Sequence, residues 1–381
     1  MIYLDNAATS WPKAPGVVEA MSRFLLEEAG NPGRSGHRLA RTALERVEAT
    51  RRALARLLGI SPPERIVFTL NATDALNLAL KGLLRPGDHV ITSSVEHNSV
   101  TRPLRALTEQ GVQVTKVPCF GDGAVDVEAL ARAFRPNTRL VVLTHASNVA
   151  GTLQPVAEVA RLTHAAGALF LVDGAQTVGA IPFRVADLGA DLLAFSGHKG
   201  LLGPTGTGAL YVGPGVDLRP VREGGTGTSS ELDVQPLDLP HRLESGTPNT
   251  VGIVGLGAAL EYLERRGVED IRAHEVALMR VLREGLREVP GLRLWGPEDP
   301  AQCAGVLSFT LPGLEPAEIG AILDASFDVA VRPGLHCAPD AHRTLGTFPS
   351  GTVRLSVGAF NTADEVHQVV RYIAQIARSW G

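Results

Sequence analysis

The chain has 381 residues, of which 44% are hydrophobic and 20% are charged. This length and balance favour two or three folding units with a sizeable core, and they exclude wholesale disorder. The net charge of -4, without a Lys/Arg block, argues against nucleic acid as a partner. No apolar run approaches the roughly 20 residues that span a bilayer, and the first residues, MIYLDNAATS, do not predict a secretory signal. The 3 scattered cysteines predict neither a disulfide framework nor a metal site, so we expect a cytoplasmic protein with reduced thiols.

The predicted elements begin with an extended arm over residues 1–15. Helical spacing of apolar residues follows at 17–29 and 40–58. Strand-then-helix units come next, with strands at 65–69, 89–92, 112–117, 140–143, 168–172, 192–195 and 209–212. After a loop-rich stretch, helices are predicted at 251–266, 271–289 and 316–323 and from 362 onward, mixed with strands. The pattern indicates an α/β fold: a large domain over 16–250 with a mostly parallel sheet, and a smaller α+β domain from 1–15 and 251–381.

Five of the predicted strands lead into residues that can bind a ligand, and a parallel sheet brings such residues to one edge. These residues are Ala72 and Thr73 at a helix start, His97, Asn148, Asp173 and Gln176, and Ser196, His198 and Lys199. Together they offer an anion cradle, an imidazole, two amides, a carboxylate and an amine. These groups match the requirements of pyridoxal 5'-phosphate (PLP), an aromatic cofactor with a phosphate and a reactive carbonyl. The alternative for Thr73 alone is an ordinary helix N-cap region.

Lys199 is the most informative residue of this set. The chain has 36 basic residues, of which only Lys13, Lys81, Lys116 and Lys199 are lysines. An amine, unlike a guanidinium, can lose its proton and form a Schiff base. The alternative is a lysine that extends from a strand end to solvent.

Two glycine patterns, VGIVGLG and GPTGTG, lack the sequence context of dinucleotide or Walker A loops.

Motifs along nearly the whole chain resemble those of one enzyme family. They are YLDNAAT, VEHNS, SNVAGTLQPV, VDGAQTVG, FSGHKGLLGPTGTGALYV, ESGTPNTVGIVGLGAAL, RPGLHCAP and VRLSVGAFNT. In order and spacing they resemble the class V aminotransferase fold (fold type I, PLP-dependent), in the cysteine desulfurase and selenocysteine lyase branch. The resemblance implies a homodimer that takes sulfur from L-cysteine and passes it to a protein acceptor, as in iron–sulfur cluster assembly.

The resemblance also implies a role for each matching residue. Lys199 binds the cofactor covalently and moves protons. Asp173 pairs with the ring nitrogen, Gln176 with the ring hydroxyl, and His97 stacks on the ring. The phosphate is held by Ala72, Thr73, Ser196 and His198, and by Thr247 from a second subunit. Asn148, Arg332 and Arg354 bind the substrate. The planar guanidinium of an arginine can form two parallel hydrogen bonds to the substrate carboxylate. Without the resemblance, Arg354 would be read as a surface arginine.

Cys337 distinguishes activities within this fold. A desulfurase needs a thiolate that attacks the substrate sulfur and leaves a persulfide and alanine, and Arg332 and His336 are close to Cys337 in sequence. The alternatives are a packing cysteine in a transaminase or other lyase, a selenocysteine lyase, or a non-catalytic scaffold. Cys119 and Cys303 are interpreted as structural. The family loop often has two histidines before the cysteine, whereas here the first is Leu335.

Overall fold

The computed structural model describes residues 1–33, 36–228 and 231–380. Its strands are β1 (Ile2–Tyr3), β2 (Ile66–Thr69), β3 (His89–Ser93), β4 (Gln113–Val117), β5 (Thr138–Thr144), β6 (Leu169–Asp173), β7 (Leu192–Ser196), β8 (Gly208–Val212), β9 (Arg293–Trp295), β10 (Val306–Thr310), β11 (Val329–Ala330), β12 (Arg332–Gly334) and β13 (Thr352–Ser356). Its α-helices are α1 (Val17–Arg23), α2 (Arg38–Leu58), α3 (Ala72–Leu83), α4 (Asn98–Thr108), α5 (Val127–Arg132), α6 (Val156–Ala165), α7 (Val185–Leu188), α8 (Thr250–Arg266), α9 (Val268–Arg287), α10 (Pro316–Phe327), α11 (Pro339–Leu345) and α12 (Ala363–Trp380).

A seven-stranded sheet in the order β2-β8-β7-β6-β5-β3-β4 forms the centre of the large part. Six of these strands run in the same direction, and β8, between β2 and β7, runs in the opposite direction. Strands such as β7 are apolar and buried along their whole length because helices cover both faces of the sheet. Helices α3 and α4 pack on one face, and α2, α6, α7 and α8 pack on the other. The predicted α/β class with a mostly parallel sheet is confirmed.

A second, four-stranded sheet in the order β12-β13-β10-β9 is antiparallel. Helices α9, α10 and α12 pack on it around a separate apolar core. Helix α8 belongs instead to the core of the large sheet, where it packs along α2. The packing of α8 favours a boundary near Gly267, later than the predicted one at residue 250. The division into two domains stays a prediction.

Local signals explain most of the element boundaries. The Asn71 side chain accepts a hydrogen bond from Asp74 N at 2.9 Å and begins α3, and Gly59 ends α2 with φ 67°. The predicted helix over 17–29 instead changes to a π-helical turn at Phe24–Glu28. Within the ranges given above, no helix is both long and apolar enough to cross a membrane.

Glu275 on α9 gives the fold a pH-dependent stability. Its side chain is buried, and burial raises its pKa to about 8, an effect that Arg272 opposes. The folded chain thus keeps a proton that the unfolded chain loses above its ordinary pKa, so this contribution to stability falls as the pH rises towards 8. Replacing Glu275 with glutamine removes the dependence. We expect the stability of E275Q relative to the parent to rise by about 2 kcal/mol from pH 5.5 to pH 7.5.

Urea unfolding of the cofactor-free chain at the two pH values measures this change. The exposed Glu284 on the same helix provides the control variant E284Q. A difference between E275Q and the parent that does not vary with pH would contradict a protonated Glu275.

Candidate active site

A cavity of about 270 Å³ lies at the carboxyl ends of β3, β5, β6 and β7. The start of α3 forms one side, and β13 and the segment after β12 close the other. The structure brings together the following predicted residues in its lining: Ala72, Thr73, His97, Asn148, Asp173, Gln176, Ser196, His198, Lys199, Arg332 and Arg354. The cavity also includes Ser99, Thr144 and His336, which sequence reasoning did not assign to the site.

The start of α3 is rich in hydrogen-bond donors. Ala72 N donates to Ser196 Oγ at 2.9 Å, so the Ser196 hydroxyl keeps its own proton for another partner. The Thr73 and Ser99 hydroxyl oxygens lie 2.7 Å apart. The positive end of the helix dipole adds to these groups and favours an anion. Asn71 caps the same helix, so the ordinary capping interpretation and an anion cradle are compatible here.

Lys199 and Asp173 lie at the floor of the cavity. Burial lowers the pKa of Lys199 to about 8, against the opposing effect of Asp173. Burial also raises the pKa of Asp173. The hydrogen bond from Ala175 N to Asp173 Oδ1, at 2.9 Å, and the positive charge of Lys199 both oppose this rise. An amine in this environment can exchange a proton near neutral pH, since its charged and neutral forms are close in free energy.

His97 is held as a neutral imidazole. Burial and the nearby Lys199 lower its pKa to about 4. Its Nδ1 atom accepts a hydrogen bond from Ser99 N at 3.1 Å, so the ring proton belongs on Nε2. An uncharged, oriented ring is suited to lie against a flat aromatic ligand.

The N-terminal arm forms part of this site, which sequence reasoning missed. The carbonyl oxygen of Ala7 accepts a hydrogen bond from Gln176 Nε2 at 3.2 Å. The carbonyl oxygen of His198, next to Lys199, accepts from Ser10 N at 2.9 Å and Lys13 Nζ at 3.2 Å. The only sequence signal was the YLDNAAT match, which implied no role for single residues of the arm.

Arg354 is a buried guanidinium that is only partly hydrogen-bonded. Its Nη2 atom binds Asp5 Oδ1 at 2.7 Å, and its Nη1 atom donates to Asn148 O at 3.1 Å. Its Nε atom is buried without a partner, although buried donors are normally paired. The Nε–Nη2 edge of an arginine fits a carboxylate in two parallel hydrogen bonds. Asp5, which sequence reasoning also missed, occupies the Nη2 atom in this structure, so a carboxylate bound at this edge would share Nη2 with Asp5 or displace it.

Cys337 is exposed and does not itself line the cavity, but it directly follows His336 and lies beside Arg332, two residues of the lining. The Arg332 Nη2 atom is 3.4 Å from its Sγ atom, as the predicted cationic environment requires. The carbonyl oxygen of Cys337 accepts a hydrogen bond from Asn98 N at 2.8 Å, which ties the loop to the start of α4, next to His97. His336 does not add positive charge, since burial lowers its pKa to about 3.

The other two cysteines have different environments. Cys303 is 1% exposed, and burial raises its pKa to about 11. Cys119 is half-buried, and burial raises its pKa as well. Thiols with raised pKa values are poor nucleophiles at neutral pH. Both environments agree with the structural interpretation of these residues.

Thr247 does not reach the cavity of its own chain. It is exposed in a separate crevice, beside Arg222, Gly246 and Asn249. A phosphate contact from this residue therefore requires a second copy of the chain, as the resemblance implies.

The chain matches known proteins along its length. The family model of class-V aminotransferases matches residues 2–369. A probable cysteine desulfurase of Methanothermobacter thermautotrophicus is 37% identical, over 99% of this chain and 94% of the relative. A cysteine desulfurase of Pectobacterium atrosepticum is 36% identical, over 100% of this chain and 94% of the relative. The apo structure of a cysteine desulfurase from Thermococcus onnurineus NA1 has a TM-score of 0.93 at 36% identity, over 99% and 95% of the two chains. The chain therefore belongs to the class-V aminotransferase family, in the branch of the cysteine desulfurases.

Proposed function

We propose that the chain is a PLP-dependent cysteine desulfurase that converts L-cysteine to L-alanine and leaves a persulfide on Cys337. The observation that carries this proposal is the exposed Cys337 thiol, 3.4 Å from Arg332, which lines a cavity that also contains the buried Lys199 amine and Asp173 carboxylate. A transaminase on the same fold would not need a thiol at this place. The full-length similarity to desulfurases supports the same conclusion.

The residues of the cavity fit PLP. The Thr73 and Ser196 hydroxyls and the start of α3 supply phosphate donors, and His198 adds an imidazole. The His198 Nδ1 atom lies 3.1 Å from the Thr9 hydroxyl, which leaves its Nε2 atom for a ligand. The buried Asp173 carboxylate is suited to a protonated ring nitrogen, and Lys199 to the carbonyl carbon.

PLP bound in this cavity supplies an electron sink that weakens bonds to the α- and β-carbons of an amino acid. Lys199 then moves a proton to or from substrate carbon through its Nζ atom, for which a pKa of about 8 is suitable. Asp173 would keep the ring nitrogen protonated, and His97 would orient the ring, as the family resemblance implies. Gln176, whose Nε2 atom donates to Ala7 O of the arm, would bind the ring hydroxyl.

The sulfur-transfer step belongs to Cys337. Its thiolate Sγ forms a bond to the sulfur of L-cysteine, and the carbon–sulfur bond of the substrate breaks. The electron pair of that bond stays with the carbon fragment, which gains a proton and leaves as L-alanine. The thiol thus becomes a persulfide, and no further oxidant or reductant is needed. Arg332 stabilises the negative charge on sulfur through its nearby guanidinium.

Arg354, with Asn148 beside it, binds the substrate carboxylate in this proposal. Replacing Arg354 with lysine keeps the charge but loses the planar fork. We expect R354K to raise the KM for L-cysteine by about 10- to 100-fold, the value of one or two charge-assisted hydrogen bonds. The KM for L-cysteine is measured by steady-state kinetics of alanine release. The control is R371K at an exposed position of α12, and an unchanged KM in R354K would remove Arg354 from substrate binding.

The proposed activity is tested by incubating the purified holoenzyme with L-cysteine and a thiol reductant. We expect L-alanine and sulfide in equal amounts, without a keto acid. Alanine formation that requires a keto acid, without sulfide, would instead indicate a transaminase. Turnover of L-selenocysteine with no turnover of L-cysteine would indicate a selenocysteine lyase.

We further propose a cytoplasmic homodimer in which Thr247 of each copy contacts the phosphate bound by the other. The separation of Thr247 from its own cavity supports this arrangement, and light scattering should give the molar mass of two chains. The exposed position of Cys337 suits transfer of sulfur to a protein acceptor. Incubating the persulfide form with a candidate acceptor and following the labelled sulfur tests this transfer.

A further inference from the structure

The loop that contains Cys337 has a backbone conformation that is unfavourable in free energy. His336 and Cys337 have φ values of 49° and 57°, so two consecutive residues with side chains occupy the left-handed region. Such a conformation persists only where the surrounding structure holds it. Two hydrogen bonds do so from the large part: Asn148 Nδ2 to His336 O at 2.6 Å, and Asn98 N to Cys337 O at 2.8 Å.

A third support is a chain of side-chain hydrogen bonds behind the loop. Thr347 Oγ1 lies 2.7 Å from His342 Nδ1, and His342 Nε2 lies 3.3 Å from His336 Nδ1. His336 Nε2 lies 2.8 Å from the carbonyl oxygen of Arg332. His342 is 0% exposed and His336 only 3%, so water does not compete for these bonds.

The direction of every bond in this chain follows from its last member. The Arg332 carbonyl can only accept, so His336 carries its proton on Nε2. Burial lowers the pKa of both imidazoles, to about 3 for His336 and about 4 for His342, so each ring has one proton. The Nδ1 atom of His336 therefore accepts from His342 Nε2–H. The Nδ1 atom of His342 in turn accepts from the Thr347 hydroxyl.

We propose that Thr347 and His342 are positioning residues that hold the Cys337 loop in its productive conformation through this oriented chain. The inference rests on the persulfide role of Cys337 proposed above. If the Thr347 hydroxyl is removed, His342 keeps its proton on Nε2, because His336 Nδ1 still requires a donor there, but the buried Nδ1 atom of His342 loses the hydroxyl that it accepts from. An unsatisfied buried acceptor costs free energy, so the His342 ring is held less firmly and its support of His336 weakens.

Two variants of Thr347 test the proposal. T347V removes the hydroxyl but keeps the branched shape and the backbone bonds of Thr347 N to His342 O and Gly351 N to Thr347 O. T347S restores the hydroxyl. We expect T347V to lower kcat for L-cysteine about tenfold, with KM and the PLP dissociation constant changed less than about twofold. T347S should stay within about twofold of the parent in all three quantities.

Two readouts do not depend on turnover. ¹⁵N spectra of histidine-labelled chain should show the Nε2–H tautomer for His336 and His342 in the parent and T347S, and an altered His342 signal in T347V. Alkylation of Cys337, followed on its peptide by mass spectrometry, should change in rate in T347V alone.

The proposal is overturned if T347S is as impaired as T347V, if T347V matches the parent in kcat, or if either imidazole of the parent carries its proton on Nδ1. A parent without desulfurase activity would refute the proposed function instead. The spectra and the alkylation rates would then still decide whether the chain orders the loop.

Discussion

The Cys337→Ala variant is expected to bind PLP like the parent and to lose about 10³-fold or more of its alanine release from L-cysteine. The thiol is the only exposed one among the cysteines, all of which lie in the described ranges. Cys119 and Cys303 are less exposed, so without Cys337 no exposed cysteine thiol is left to accept the substrate sulfur. The cofactor and carboxylate contacts do not involve this side chain, so the loss should appear in kcat.

The matched controls are Cys119→Ala and Cys303→Ala, which should keep desulfurase activity. Alanine release and PLP absorbance, measured on all three variants, separate the loss of sulfur transfer from the loss of cofactor. A Cys337→Ala variant as active as the parent would refute the persulfide mechanism. A lyase in which the thiol is incidental would then explain the family match.

The second large effect is expected at Lys199. Both K199A and K199R should lose activity by about 10²- to 10⁴-fold, the usual value of a proton-transfer group. K199R keeps a positive charge but cannot lose its proton, whereas Lys199, with a pKa of about 8, can. Equal losses in the two variants would therefore assign the effect to the chemistry of the amine.

Visible absorbance of the PLP-loaded protein and alanine release together measure this effect. Lys81, an exposed lysine on α3, provides the control variant K81A. If K199R retained near-parent activity, the amine would not be required, and both the covalent role and the proton-transfer role of Lys199 would fail.

Sequence reasoning located the floor of the site because its signals are local. Asp173, Ser196 and Lys199 each follow a short apolar strand, and the strand-then-helix order alone places such ends at one edge. The structure brings them into one cavity as predicted. The fold class was equally accessible, because buried parallel strands are short apolar runs bounded by turn residues.

The sequence did not indicate the contacts that join distant parts of the chain. Asp5 meets Arg354 across 349 positions, and neither residue has a neighbour that predicts the pair. Thr347 and His342 are close in sequence, but nothing in the stretch PDAHRTLGTFPSG distinguishes a Thr and a His that bond to each other from two unrelated polar residues. The short elements β9, β12 and α11 were also missed, since a few residues show no clear periodicity.

The pairing of the arm with β11 and β13 determines when the site can form during synthesis. Residues 2–5 bond to residues 328–330 and 354–356, so these contacts wait until nearly the whole chain has left the ribosome. The strands of the seven-stranded sheet end at residue 212, and helix α8, which covers it, ends at residue 266, so this part can form earlier. A nascent chain halted at residue 340 should therefore have a protease-resistant sheet but an arm that is still cleaved.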